Sequence, residues 1–488
     1  MVLHRGPIIK VLSAVTVVVG TAMLLPMLVS LYYGERSEAM AFLFCSGPMI
    51  ALGYFAGKYT VVPANSMLRT RDGFFIVGTS WLAMSLLGAI PFVLSGAIPH
   101  LIDAYFETAS GFTTTGASIL TDIEGLPRGM LFWRSFTHWL GGMGILVLTV
   151  ALLPMLGIGG QKIMRAETTG PTMDKISFTV NDTAKILYKI YAGMTLLQIL
   201  LLMFGGLDLY DASVHTFGTV GTGGFSPYAA SIGAYNSFYV DMVISFFMIA
   251  AGVNFTLYHS LLTGKIRQFF RDYELKCYLM IIGASTLFIT VMLLWKGFYS
   301  DPVEGFRYAL FQVASIMTTT GFATADFDLW PASCKMILLL LMVVGACASS
   351  TGGGIKVIRT ALIFKLIKRG AYRRLHPNAV VPMRAGERNM GPEVMSGVAG
   401  FTLLYIFTSV LSILLISLEN VDLITAVSSV IACISNIGPG FEMVGPTLNY
   451  AFYSGASKLL LSLLMIAGRL ELFTIILLFT PVFWNRNK

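Results

Sequence analysis

Charged residues are scarce in this sequence: Asp, Glu, Lys and Arg together make up 12% of its 488 residues, while 56% are hydrophobic. Soluble globular domains carry about twice that share of charge, so the composition excludes an ordinary soluble domain. Apolar runs long enough to cross a bilayer, which takes about 20 residues per helix, recur along the whole chain. The sequence therefore predicts an all-α integral membrane protein.

Cysteine and histidine are also few, with five and six residues that are scattered along the chain. The cysteines lie in or beside apolar runs, a placement that indicates neither a disulfide framework nor a metal site. The sequence contains no Gly-rich dinucleotide fingerprint, no Walker loop and no HExxH motif. We therefore expect no enzyme activity and no cofactor on this chain.

The apolar runs and the helix breakers between them predict ten transmembrane helices. Two N-terminal helices are followed by four pairs, and the stretch between the partners of each pair resembles a re-entrant hairpin. The predicted spans are 8–31 and 39–60, then 73–96 with 130–156, 184–206 with 236–262, 275–297 with 334–368, and 395–418 with 454–483. The predicted units are a two-helix extension at 1–70 and four repeats at 71–165, 166–270, 271–385 and 386–488.

Charge sorts the connections between these helices into two sides. The four hairpins together hold 2 Lys or Arg against 14 acids, whereas the other connections hold 23 against 8. The positive-inside rule places the basic connections and both termini in the cytoplasm, so the hairpins enter from outside. The net charge of +8 then follows from topology and from contact with anionic membrane lipid, with no need for nucleic acid. The alternative for the basic loops is a docking surface for a cytosolic partner.

Each hairpin contains one motif rich in Gly and Thr, and in each an alanine precedes the central glycine by twelve positions. The central glycines are 108, 97 and 117 residues apart. This period predicts four pseudo-fourfold repeats of a helix, pore loop, helix unit around one pore. The central glycines are Gly116, Gly224, Gly321 and Gly438.

The four motifs have the composition expected of a cation filter. A dehydrated ion needs oxygen ligands at close range, and backbone carbonyls from several loops around one axis can provide them. Glycine lets each loop turn its carbonyls inward and lets four backbones approach closely. A single copy would be interpreted as an ordinary membrane turn, but four copies favour a filter. Acids ahead of the motifs, such as Glu107 and Asp422, could attract cations to the pore mouth; the alternative is a solvated loop charge or an acid at a helix N-terminus.

Small residues interrupt the second helix of the third pair. Three consecutive glycines cost about 1 kcal/mol each relative to alanine in a helix, and Ser and Thr side chains compete for the backbone hydrogen bonds. The break should form a loop beneath the filter that could gate the ion path; a packing kink is the alternative. The residues of this candidate gate are Gly345, Ala346, Cys347, Ala348, Ser349, Ser350, Thr351, Gly352, Gly353 and Gly354.

Arg469 lies near the middle of the last apolar run. A charged side chain at that depth is costly in lipid, so it should face the bundle interior or water. In a cation pore this positive charge would act as a barrier or as part of a gate. The alternative is an internal ion pair with Glu471, although residues two apart point to different faces of a helix.

The four motifs, the stretch from Thr351 to Arg359 and the sequence Gly468-Arg-Leu-Glu-Leu472 resemble the Trk/Ktr/HKT potassium transporter superfamily. The two additional N-terminal helices make the chain most similar to its bacterial TrkH-type subunits. The resemblance implies potassium uptake across a bacterial inner membrane by a homodimer with one pore per protomer, above a cytosolic ring of TrkA-type nucleotide-binding subunits. It also implies that Arg469 is the pore arginine and that the potassium-binding filter consists of Thr114, Thr115, Gly116, Thr222, Gly223, Gly224, Thr319, Thr320, Gly321, Asn436, Ile437 and Gly438.

Two departures from the Thr-Thr-Gly pattern bear on how strictly such a filter would select among cations. The second motif has an additional glycine at Gly223, and the fourth has Asn436 and Ile437 before its glycine.

Two rival functions are weighed against the pore. A sodium- or proton-coupled secondary transporter of another cation or small solute also uses broken helices, but it predicts two inverted repeats and intramembrane acids. An intramembrane enzyme requires a converging nucleophile and base, or metal ligands. The four parallel repeats, the acids mostly at the membrane edges and the scattered histidines favour a pore.

Overall fold

The computed structural model describes residues 3–62, 69–144, 180–386 and 388–485, and these parts of the chain are mainly helical. The first helices are α1 (Arg5–Ala22), α2 (Leu24–Tyr32), α3 (Arg36–Tyr59), α4 (Thr70–Ser95), α5 (Leu101–Phe112) and α6 (Arg128–Gly142). The next are α7 (Val180–Phe204), α8 (Leu209–Val220), α9 (Phe238–Ala251), α10 (Phe255–Leu262), α11 (Ile266–Arg271), α12 (Tyr273–Trp295) and α13 (Pro302–Met317). The last are α14 (Ala332–Val344), α15 (Val357–Leu375), α16 (Pro392–Ile416), α17 (Leu423–Ile434), α18 (Gly455–Arg469), α19 (Phe473–Leu478) and α20 (Pro481–Trp484).

Short elements complete the described chain. Two strands of two residues each, β1 (Arg384–Ala385) and β2 (Arg388–Asn389), pair antiparallel between α15 and α16. Four 3₁₀ turns lie at Ser231–Tyr235, Phe327–Leu329, Ser417–Glu419 and Glu442–Val444.

Six of the described helical segments are long and apolar enough to cross a membrane. They correspond to the predicted spans 8–31, 39–60, 73–96, 184–206, 275–297 and 395–418. The predicted span 130–156 begins with α6, but its second half lies outside the described residues. This agrees with the prediction of a helical membrane protein.

The outward faces of the long helices carry large apolar side chains. On α16, Leu403 and Phe407 are 69% and 67% exposed, and on α12 Met280 is 68% exposed. Exposed apolar surface of this kind is unfavourable in water, but it is the ordinary surface of a helix in lipid.

The predicted interruption of the third pair's second helix lies between Val344 and Val357. Gly345 and Gly354 take φ values of +72° and +73° there, which a residue with a side chain rarely adopts. The sequence therefore located this break correctly.

Two predicted continuous helices, 236–262 and 454–483, are wrong. The first bends by 96° between α9 and α10, where the Asn254 side chain accepts a hydrogen bond from the Thr256 N–H at 2.9 Å and caps the new helix. The second breaks between α18 and α19, where Glu471 and Leu472 both have φ of +57°. The side-chain cap explains the first break, and contacts distant in sequence, described below, accompany the second.

Candidate functional site

The four short helices α5, α8, α13 and α17 all end in the same backbone turn. In each turn, a residue two positions before the central glycine is left-handed, with φ between 55° and 60°. The next N–H donates to a carbonyl five residues earlier at 2.7–2.9 Å, which satisfies the helix end as in a Schellman motif. The left-handed residues are Thr114, Thr222, Thr319 and Asn436.

These turns are strained but identical in form. Three of the four left-handed residues are β-branched threonines, for which this conformation costs on the order of 1–3 kcal/mol and marks functional sites. The turns also bring the partially negative C-terminal ends of four helices to one place. The alanines that the alignment placed twelve positions before the glycines are all fully buried; they are Ala104, Ala212, Ala309 and Ala426.

The four motifs meet one another in a closed ring. The central glycines have φ between +81° and +97°, and each lies against the backbone of the following motif. A Cβ added at any of them would meet the carbonyl oxygen that precedes the next glycine, and the fourth motif closes on the first. The successive contacts are Gly116 with Gly223, Gly224 with Thr320, Gly321 with Ile437, and Gly438 with Thr115. Only glycine fits such a close approach of four backbones.

A cavity of about 120 Å³ opens on one side of this ring. All four central glycines line it, together with residues that follow them, including Ser118, Ser226 and Pro439. A cavity large enough to hold water therefore lies directly against the glycine ring.

A buried polar residue lies nine positions before each central glycine; the sequence pointed to Glu107 as an acid but not to this shared position. In the first three motifs this residue bonds to the segment that follows the glycine. Glu107 accepts from the Ile119 N–H at 3.0 Å, and His215 bonds to the Ser226 hydroxyl at 3.1 Å. Gln312 donates to the Ala325 carbonyl at 3.3 Å. In the fourth, Ser429 accepts from the Tyr453 hydroxyl at 3.0 Å. The alignment on the glycines would have revealed this position, which holds Glu107, His215, Gln312 and Ser429.

Two of the acids considered for the pore mouth, Glu107 and Asp422, have structural partners. Glu107 is buried and forms an ion pair with Arg134 at 2.5 Å, so it offers no free charge to a cation. Asp422 is the N-cap of α17 and accepts from the Thr425 N–H at 2.9 Å. Slight burial raises the pKa of Asp422, but the hydrogen bonds from Thr425 outweigh it and leave the pKa below its ordinary value.

The loop between α14 and α15 lies against two of the motifs. The Gly353 N–H donates to the Thr319 hydroxyl at 2.7 Å, and the Gly354 N–H donates to the Ser435 carbonyl at 3.0 Å. A Cβ at Gly353 would meet the same Ser435 carbonyl. The candidate gate thus touches residues that precede the central glycines of the third and fourth motifs, and none of these contact residues lines the cavity.

Arg469 joins this loop to the end of α6. Its guanidinium donates to the Thr351 carbonyl at 2.5 Å and to the carbonyls of Gly141 and Gly142 at 2.8 and 2.7 Å. Glu471, considered as its partner, accepts from Arg359 at 2.5 Å. The arginine therefore binds backbone carbonyls beside the candidate gate.

The family model of the TrkH cation transport proteins matches residues 49–486. The chain belongs to the TrkH family. This confirms the resemblance that the four motifs, the triple-glycine break and Arg469 predicted.

Two relatives and one solved structure show how far the likeness extends. The Trk system potassium uptake protein TrkH of Escherichia coli strain K12 is 37% identical over 487 residues, covering 99% of this chain and 100% of that protein. TrkG of the same strain, also named as a Trk system potassium uptake protein, is 35% identical and covers 95% of each. The crystal structure of the potassium transporter TrkH from Vibrio parahaemolyticus superimposes with a TM-score of 0.88, at 33% identity, over 99% of this chain and 100% of that one. These relatives are named for transport and not as enzymes, in agreement with the sequence prediction.

Proposed function

We propose that this chain takes up potassium across a bacterial inner membrane through a pore lined by the four glycine motifs. The observation that carries the proposal is the closed ring of the four motifs. In this ring each central glycine lies against the carbonyl of the residue just before the central glycine of the next motif. Four backbones in one ring supply the oxygen ligands that replace the hydration shell of an ion. The names of the relatives supply the identity of the ion.

The selectivity filter that we propose consists of residues 114–116, 222–224, 319–321 and 436–438. The departures in the second and fourth motifs do not alter the common turn. Asn436 donates its amide to the Thr115 hydroxyl at 2.9 Å and to the Met465 carbonyl at 2.8 Å, so its side chain braces the fourth motif against the first.

The gate that we propose consists of residues 345–354 together with Arg469. Its support is the contact of the loop with two motifs, through hydrogen bonds from Gly353 to Thr319 and from Gly354 to Ser435. Arg469 places a positive charge beside this loop, where repulsion of a cation is stronger than in water because the dielectric constant is lower.

The wider assembly is also a proposal. Ten membrane passes are proposed, arranged as the two-helix extension at 1–70 and the repeats at 71–165, 166–270, 271–385 and 386–488, with breaks in the passes at 236–262 and 454–483. The charge difference between hairpins and other loops supports this topology, with both termini cytoplasmic. A homodimer with a cytosolic TrkA-type regulatory subunit is supported by the family and by the name "Trk system" of the relatives.

The experiment is ion flux into liposomes that contain the purified chain. Potassium influx that exceeds sodium influx, and that is absent from protein-free liposomes, supports the proposal; equal fluxes or none contradict it. Repeating the measurement with and without a proton or sodium gradient separates a channel from coupled symport.

A further inference from the structure

A second cavity lies beside α15, the helix that follows the break after α14. None of the residues that line it belongs to the glycine ring. It has a volume of about 500 Å³ and is formed between α15 and the segment 379–384 that leads into the strand pair. Ten described residues line it, of which four are cationic and none is acidic. The four cations are Lys365, Lys368, Arg369 and Arg384.

Backbone and amide groups hold two of these cations in place. The Lys365 ammonium donates to the Arg384 carbonyl at 2.6 Å and lies 4.0 Å from the centre of the Tyr273 ring. Arg384 donates its Nε to the Asn389 side chain at 3.0 Å. The cationic wall is therefore ordered in part by the protein itself, which lowers the cost of binding an anion.

The charges of the cavity are not neutralised by carboxylates in the described part of the chain. The Nε of Arg369 is shielded from solvent and has no hydrogen-bond partner among the described residues. A shielded donor without a partner is unfavourable, and an anionic acceptor would relieve it. Guanidinium and ammonium groups together are the usual ligands of phosphate oxygens.

The surroundings of the cavity are apolar and exposed. Val380 in its wall is 90% exposed, and on α15 the side chains of Phe364 and Ile367 are 69% and 63% exposed just before Lys368. Exposed apolar residues that give way to cations along one helix mark the level where acyl chains give way to lipid headgroups.

We propose that this cavity binds the phosphate headgroup of an anionic phospholipid, with an acyl chain along Phe364 and Ile367. The strip of exposed apolar residues beside the cations favours this ligand over free phosphate, which would use the cations alone. The site does not depend on the proposed ion path, since none of its residues belongs to the glycine motifs or the candidate gate.

The test is lipid binding by the full chain in detergent, measured by native mass spectrometry. Phosphatidylglycerol should bind more tightly than phosphatidylcholine with the same acyl chains. Lys368→Gln with Arg369→Gln should weaken phosphatidylglycerol binding by about thirtyfold, the factor expected from two cations at an anionic lipid surface. Binding of phosphatidylcholine should not change.

A matched control is Arg373→Gln with Arg374→Gln, which removes the same charge from the same helix outside the cavity lining. Its affinity should stay close to that of the parent chain. A second variant, Val380→Glu, puts a carboxylate at an exposed position of the wall and should also weaken phosphatidylglycerol binding.

Four results would overturn the assignment. Equal binding of the two lipids would contradict a headgroup site. An equal loss of phosphatidylglycerol binding in the cavity variant and its control would mean that the lipid responds only to the general charge of the surface. Displacement of the lipid by inorganic phosphate at equal affinity would make this a phosphate site. Unchanged lipid binding with lost retention of a cytosolic subunit would make it a protein-docking surface.

Discussion

Arg134 and Glu107 form an ion pair 2.5 Å apart in which the side chains are 2% and 0% exposed. Arg134 also donates to the Ser226 carbonyl at 3.1 Å, and its guanidinium lies 3.5 Å from the centre of the Phe225 ring. The pair therefore ties the first motif to the residues that follow the second central glycine.

Glu107→Gln should destabilise the protein strongly, because Arg134 would remain buried without its counter-charge. Removing one partner of a buried pair costs about 3–5 kcal/mol, so the midpoint of thermal unfolding in detergent should fall clearly. Glu393→Gln, at an exposed acid, is the control and should leave the midpoint unchanged. If both variants unfold at the same temperature as the parent, the pair does not brace the ring.

Shortening the candidate gate should raise potassium flux without changing selectivity. Deletion of residues 349–352 leaves the buried Ala346, Cys347 and Ala348 in place and removes Thr351, to which Arg469 donates. Flux and the potassium-to-sodium ratio would be measured in liposomes. A shortened chain that folds and conducts no faster than the parent would make the loop a packing element.

Replacing Arg469 should also raise cation flux. Arg469→Ala removes a positive charge and three hydrogen bonds to backbone carbonyls, whereas Arg469→Lys keeps the charge and should retain much of the block. Flux through liposomes containing each variant is the measurement.

Glu471→Gln separates this gating role from an ion pair between the two residues. Because Glu471 pairs with Arg359, its substitution should lower stability whether or not Arg469 is present. The idea of a gate fails if Glu471→Gln restores stability lost in Arg469→Ala and flux stays at the parent level.

The alignment of the four motifs on their central glycines could be predicted from the sequence, because these positions require a backbone conformation that favours glycine. Gly116 and its three counterparts need positive φ and close approach, and no other residue type provides both. The triple glycine at 352–354 likewise opposes a helix through its local cost alone. These features depend on the residues themselves, so one sequence was sufficient.

The break near Glu471 could not be predicted in the same way, and the break after Gly252 has only a weak local signal, the N-cap residue Asn254. A single glycine in an apolar run is tolerated in a membrane helix, and the stretch Leu470-Glu471-Leu472 contains no helix breaker. The ion pair of Glu471 with Arg359, 112 residues away, lies at the second break. Contacts so distant in sequence leave no local pattern, and the same is true of the pair between Glu107 and Arg134.

The most direct test of the central claim is the potassium-to-sodium flux ratio of four single variants, Gly116→Ser, Gly224→Ser, Gly321→Ser and Gly438→Ser. Gly283→Ser is the control, because Gly283 lies in α12 with open space around the position of a Cβ. A side chain at any central glycine would push against the neighbouring carbonyl, so all four ratios should fall while the control keeps the parent ratio. Parent ratios in all four well-folded variants would contradict a filter at this ring.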